Sequence, residues 1–135
     1  MKITICGSLR FFDQMQDVQK QLEAIGHVVL MPNKFKEVDY FSEDNRSRVE
    51  AKKKYEVISE HMDKIEKSDA ILVVNPTKGE IENYIGANTF LEIGFACYRR
   101  KKIYLLNSLL NQAYIRDEIE AIDMIILNGN LSLIH

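Results

Sequence analysis

Five consecutive apolar residues, AILVV at positions 70–74, constrain this chain more than any other feature. The run does not alternate with polar residues. As a strand it must therefore be covered on both faces, as central strands of parallel sheets are. Parallel strands need long crossover connections, usually helical ones, and the flanking sequence supplies them. KITIC (2–6) reads as a first strand ending at Gly7, and HVVLMP (27–32) as a second ended by Pro32. KIYLLN (102–107) is a fourth strand after AILVVN (70–75), and MIILN (124–128) a short fifth. Between the first two strands, Phe12, Met15, Val18, Leu22 and Ile25 recur at helical spacing, and Gly26 stands where a helix-ending glycine belongs.

Residues 33–46 are polar and mixed, a loop that leads into a helix running to about Ser68. Tyr55, Ile58, Met62 and Ile65 mark that helix's core face. Further helices are expected from about Asn88 to Arg100 and around 110–121. PTKGEIENYIGAN (76–88) is a loop, long against the ~2–6 residues usual for α/β connections. Strand and helix alternate throughout. The expectation is an α/β, flavodoxin-like (Rossmann-like) three-layer sandwich with a five-stranded parallel sheet in the order 2-1-3-4-5. Residues 1–135 form one domain, and the cleft lies beyond the C-terminal ends of strands 1 and 3.

Composition narrows the function classes. With 46% hydrophobic and 28% charged residues the chain is an ordinary globular protein. Its net charge of −2 gives no global field to recruit a nucleic acid polymer or an anionic membrane. The basic runs KKK (52–54) and RRKK (99–102) read as solvated faces, the second closing a helix. No apolar run approaches a membrane span, and the N-terminus has no secretory signal pattern. Cys6 and Cys97 form no CxxC pair and read as small buried hydrophobes in a reducing cytoplasm. Three scattered histidines (His27, His61, His135) offer no metal-ligand spacing, so no structural metal is expected.

Three features converge on the cleft. GSLR (7–10) turns from strand 1 into a helix: Gly7 allows a tight turn, Ser8 and helix N–H groups suit a phosphate or hydroxyl, and Arg10 suits an anion. A plain turn with a capping serine accounts for the same residues. In GANTFLEIGFA (86–96), Glu92 is the single charged residue. Thr89 and Glu92 have the spacing of a capping box, whereas the apolar company on every side points to a buried helix whose carboxylate faces a partner or a cavity. In HMDKIEKSD (61–69), His61 lies ~80° and Asp63 ~120° from the core direction at 100° per residue, so His61 sits at the edge of the buried face. Asp69, just before the third strand, reads as a helix-end or turn residue.

Taken together, ITICGSLR, KSDAILVVN and GANTFLEIGFA, in this order across residues 2–107, resemble the nucleoside 2-deoxyribosyltransferase superfamily, including its nucleotide N-glycosidase branch. The resemblance implies that Glu92 is the nucleophile at C1′ of the sugar, held ionised by the helix N-terminus and the Thr89 hydroxyl. It implies that Gly7, Ser8 and Arg10 touch the sugar or a 5′-phosphate, and that Gly86, Asn88 and Thr89 hold hydroxyls or phosphate. Tyr84 or Asn83 on the long loop would reach the pocket. The family's leaving-group aspartate falls on His61, which at its ordinary pKa is able to act as an acid near neutrality. The implied protein is a homodimeric enzyme acting on a nucleoside or nucleoside 5′-monophosphate, with no cofactor or metal needed. The competing reading is a non-catalytic nucleotide sensor in which Glu92 hydrogen-bonds a ribose. A phosphoacceptor or flavin domain fits poorly, since CGSLR lacks the acidic pair or hydroxyl-rich loop those uses need.

Overall fold

A computed structural model describes residues 1–108 and 112–135. Its five strands are β1 (Lys2–Cys6), β2 (Val28–Leu30), β3 (Ala70–Val73), β4 (Lys102–Leu105) and β5 (Ile125–Ile126), all parallel, in the order β2-β1-β3-β4-β5. The helices are α1 (Phe12–Ala24), α2 (Arg46–Lys54), α3 (Val57–Glu66), α4 (Ala87–Tyr98) and α5 (Arg116–Ala121). The expected topology is therefore the observed one.

Every residue of β3 is buried, as its unbroken apolar run requires. The two-residue period of the strands divides the core into two clusters. Ile3, Ile5, Leu72 and Tyr104 pack with Met15, Val18 and Leu22 of α1 and with Leu131 and Ile134 near the C-terminus. Cys6, Ile71, Val73, Ile103 and Leu105 point the other way, against Ile65 of α3, Ile93 and Ala96 of α4 and Ile119 of α5. Both faces of the sheet are thus covered, which makes three layers. Gly26 adopts φ +97 after α1, the left-handed conformation expected of it. Asp69 also behaves as a turn residue: its carboxylate accepts from the Lys2 N–H at 2.7 Å.

Several local expectations need correction. The single helix leading to Ser68 is two helices, broken at Glu56, which takes a left-handed φ of +48. Tyr55 ends α2 by stacking on Phe35 at 4.2 Å and donating to Glu37 at 2.7 Å, so it packs on the 33–38 loop and not on the core. The break resets the helical phase. Tyr55 and Ile58 are exposed, Met62 is half-buried, and the α3 residues facing the sheet are His61 and Ile65. Ile25, the last member of the α1 stripe, is exposed beyond the helix end. Helix α4 is not buried on every side, although its apolar surroundings in sequence suggest that it is: Leu91 and Tyr98 are exposed, and so is Cys97. The helix expected around 110–121 is a short turn at Ala113–Ile115 followed by α5, while residues 109–111 lie outside the described residues. Among the described residues no helix is long and apolar enough to cross a membrane.

Candidate active site

The C-terminal ends of β1 and β3 open onto a cavity of about 320 Å³. Gly7 is fixed there by close packing: a Cβ would lie 2.8 Å from the Val74 carbonyl oxygen and 2.8 Å from the Met15 methyl. Ser8 caps the short turn Leu9–Phe11 by accepting from the Arg10 N–H at 3.4 Å. Ser8 is therefore the capping serine of a turn, and Gly7, Ser8 and Arg10 all line the cavity.

The long β3–α4 loop is tethered at several points. The Asn75 side chain bridges to the Asn107 backbone, donating at 2.9 Å and accepting at 2.9 Å. The Gln112 amide holds Ile85 through both its N–H (2.6 Å) and its carbonyl (2.8 Å). These ties bring Tyr84, Gly86, Asn88 and Thr89 to the cavity wall. Asn83, the alternative to Tyr84, instead donates to the Ser108 carbonyl at 2.6 Å and does not line the cavity.

Helix α4 starts one turn earlier than the capping box requires. Gly86 is its N-cap, with no side-chain cap, so Thr89 is the third helical residue, buried and not a cap. Glu92 lies in the second turn, 5% exposed, and accepts from the Asn88 amide at 3.0 Å. Its second oxygen has no partner among the described residues. Burial pushes the carboxyl up to about 8, against smaller lowering effects from the Cys6 thiol and the Lys52 ammonium. The expectation that the helix terminus and Thr89 hold Glu92 ionised is thus overturned: in the free protein at neutral pH the acid is mostly protonated.

His61 faces it. The imidazole Nε2 is 3.1 Å from the Ile5 carbonyl, 3.7 Å from Cys6 Sγ and 3.9 Å from Glu92 Oε1. The ring is buried, not at the edge of the core face, and burial lowers it to about 4, assisted by Lys64. Histidine and glutamate are therefore both neutral near pH 7, and their 3.9 Å approach is not an ion pair. The acid role expected of His61 is unavailable to a group neutral at that pH. Burial, with the neighbouring Glu92, likewise keeps Cys6 a protonated thiol.

Donor atoms of Cys6, His61 and Glu92 lie within 4.8 Å of one another, the spacing of a possible metal trio that the sequence did not suggest. The hydrogen bonding fits it poorly. The Nε2 that faces the trio is engaged with the Ile5 carbonyl, and Nδ1 has no partner among the described residues, whereas a metal-bound imidazole normally donates its second N–H to an acceptor. None of the three lines the cavity. Asn88, one turn from Glu92 and bonded to it, does.

Sequence reading missed three cations at this cavity: Arg48 and Lys52 on one face of α2, and Lys78 on the long loop. Lys52 is exposed, as its basic run implies, and lines the cavity as well. The i, i+4 spacing of Arg48 and Lys52 was the available signal, but nothing in the sequence placed α2 over the strand ends.

No protein-family model and no curated protein sequence matches the chain. Solved structures do match it in fold. CMP N-glycosidase from Clostridium botulinum is 19% identical, with 95% of this chain and 90% of that one aligned at a TM-score of 0.52. A 2-deoxyribosyltransferase from Bacillus psychrosaccharolyticus is 18% identical over 91% and 93%, at 0.55. Another from Leishmania mexicana is 18% identical over 78% of this chain and 63% of that one, at 0.50. The chain therefore has the flavodoxin-like fold found in these N-glycosidase and 2-deoxyribosyltransferase structures.

Proposed function

We propose that the chain is an enzyme that cleaves or transfers at the N-glycosidic bond of a nucleoside or nucleoside 5′-monophosphate, with Glu92 as nucleophile. One observation carries this: a buried carboxyl group, one of whose oxygens has no partner among the described residues, stands one helical turn from a cavity that collects Ser8, Arg10, Tyr84 and Asn88. The fold shared with a CMP N-glycosidase and 2-deoxyribosyltransferases supports the reaction class.

In this reading the sugar lies against Asn88 and Thr89, with Ser8 and Arg10 toward its 5′ side. As the C1′–N bond breaks, its electron pair leaves with the base, which takes a proton from solvent. Positive charge builds on the sugar ring, and the Glu92 carboxylate stabilises it and bonds to C1′. Water then attacks C1′ as the C1′–Glu92 ester bond breaks, losing a proton to solvent and giving the sugar or its 5′-phosphate; a second base attacking instead gives a new nucleoside or nucleotide, and either way the Glu92 carboxylate is regenerated. Only the ionised form of Glu92 serves as nucleophile. Lys52, which favours that form, and Asn88, which orients it, are its helpers. His61 contributes as a neutral group packed beside Glu92.

A second reading draws on the protonation state: a neutral Glu92 is a hydrogen-bonding group, suited to a ribose hydroxyl in a non-catalytic nucleotide sensor. Incubation with ribo- and deoxynucleosides and their 5′-monophosphates, monitored for free base, separates the two. Base release supports the enzyme; tight binding with no release from any compound supports the sensor.

We further infer a homodimer, because exposed Ile58 on α3 and Leu91 and Tyr98 on α4 leave apolar surface that a second copy would cover. Light scattering after gel filtration tests it. Free Cys6 and Cys97 suit a reducing compartment such as the cytoplasm.

A further inference from the structure

The cavity is more cationic than a monophosphate needs. Arg10, Arg48, Lys52 and Lys78 all line it, and no aspartate or glutamate does. Among the described residues none of the four has a carboxylate within ion-pair distance. Arg48 is held in place by donating from Nη1 to the carbonyls of Asp39 (2.9 Å) and Ser42 (2.7 Å). Lys78 rests over the Tyr84 ring, 4.4 Å from its centroid. The cations are close enough to oppose one another: burial, then Arg10 and Arg48, lower the Lys78 ammonium from its ordinary value. Asp39 accepts from the N–H groups of Phe41 and Ser42, and the charges of Arg48 and Arg10 reach its carboxylate only at longer range, without an ion pair.

Such repulsion costs stability unless an anion relieves it. A phosphomonoester brings about −1.5 to −2 charges. Ser8, Arg10 and the uncapped N-terminus of α4 suffice to hold one phosphate. Arg48 and Lys78, from two other elements, remain unanswered. Resting on the nucleotide reading above, we propose that Arg48 and Lys78 form a second phosphate subsite, so that the preferred ligand is a nucleotide bearing a pyrophosphate rather than a monophosphate.

Titration calorimetry of the full chain tests this with one base in four forms: nucleoside, 5′-monophosphate, 5′-diphosphate, and a diphosphate esterified at its far end. Charge-assisted contacts to the second phosphate are expected to tighten binding about tenfold or more over the monophosphate. If the free diphosphate gains more than the ester, the terminal charge is read; if the ester equals it, the bridging pyrophosphate is, and either outcome supports the subsite. Lys78→Gln is expected to remove most of that gain while changing monophosphate affinity by less than about threefold. Arg48→Gln should do the same, and Lys78→Gln guards against loop disruption, since Arg48 also braces the loop. Equal binding of mono- and diphosphate, or equal weakening of both by Lys78→Gln, would overturn the proposal. Free base is measured on the same samples. Tight diphosphate binding without base release leaves the subsite standing and removes the glycosidic reading. Release from monophosphates with no gain from a second phosphate does the reverse.

Discussion

Replacing Glu92 by glutamine should stabilise the protein, by an amount that grows with pH. The folded-state pKa of about 8 lies well above the ordinary 4.5. The folded protein therefore holds a proton that the unfolded chain gives up. Below pH 4.5 both states are protonated and the buried acid costs nothing extra. As pH rises from 4.5 towards 8, stability is progressively lost, because folding must return a proton to Glu92. At about 1.36 kcal/mol per pH unit, the loss between pH 5 and pH 8 is roughly 3.5 kcal/mol. Glutamine has the neutral acid's shape and keeps an oxygen for the Asn88 amide, yet does not titrate. Urea unfolding of both proteins at pH 5, 6, 7 and 8 measures the difference. A Glu92→Gln advantage of about 1 kcal/mol at pH 5, growing to about 4 kcal/mol at pH 8, is expected. His61, whose pKa of about 4 makes stability fall in acid as pH drops below its unfolded value of 6.5, contributes to both proteins and cancels. Parallel pH profiles for the two proteins would refute the reasoning, since they would mean that Glu92 ionises in the fold as easily as in the open chain.

The same ionisation governs rate. If base release needs the carboxylate, only about a tenth of the free enzyme is active at pH 7, and kcat/KM should climb about tenfold per unit before levelling above about 8; a flat profile from pH 6 to 8 would exclude this. Gly7→Ala would drive a methyl into the Val74 carbonyl oxygen, which is backbone and cannot swing away, so a loss of about 1–3 kcal/mol is expected in thermal or urea unfolding. Glu56→Gly relieves the left-handed residue between α2 and α3, and a gain of about 1 kcal/mol is expected in the same assay; a loss would mean the Glu56 side chain contributes more than its strain removes.

The sheet was legible in the sequence because β3 is a pure apolar run, which has one place to go, and β1 is a short, mostly apolar segment stopped by Gly7. The convergence of GSLR and the loop before Glu92 followed from the strand order, so the cavity wall could be named in advance. What escaped was set by packing across elements. The Tyr55–Phe35 stack and the turn at Glu56 rotate α3, which carries His61 from the edge of the core to its interior. A capping box was read from the Thr89–Glu92 spacing, but α4 begins at Ala87, one turn sooner, and this buries the carboxyl that the box would have left near solvent. Desolvation then decides its charge, and desolvation depends on neighbours from β1 and α3 far away in the chain. The third gap, the Arg48–Lys52–Lys78 cluster, arises because α2 and the long loop meet over the strand ends in a way that no periodicity encodes.

The central claim is that Glu92 bonds to the sugar. Single-turnover incubation of excess protein with a nucleotide that releases base, quenched in acid and followed by peptide mass spectrometry, tests it directly. A mass increase equal to the glycosyl group is expected on the peptide containing Glu92, with neither adduct nor base release in Glu92→Gln. Undiminished base release by Glu92→Gln, with no adduct on the native protein, would contradict it.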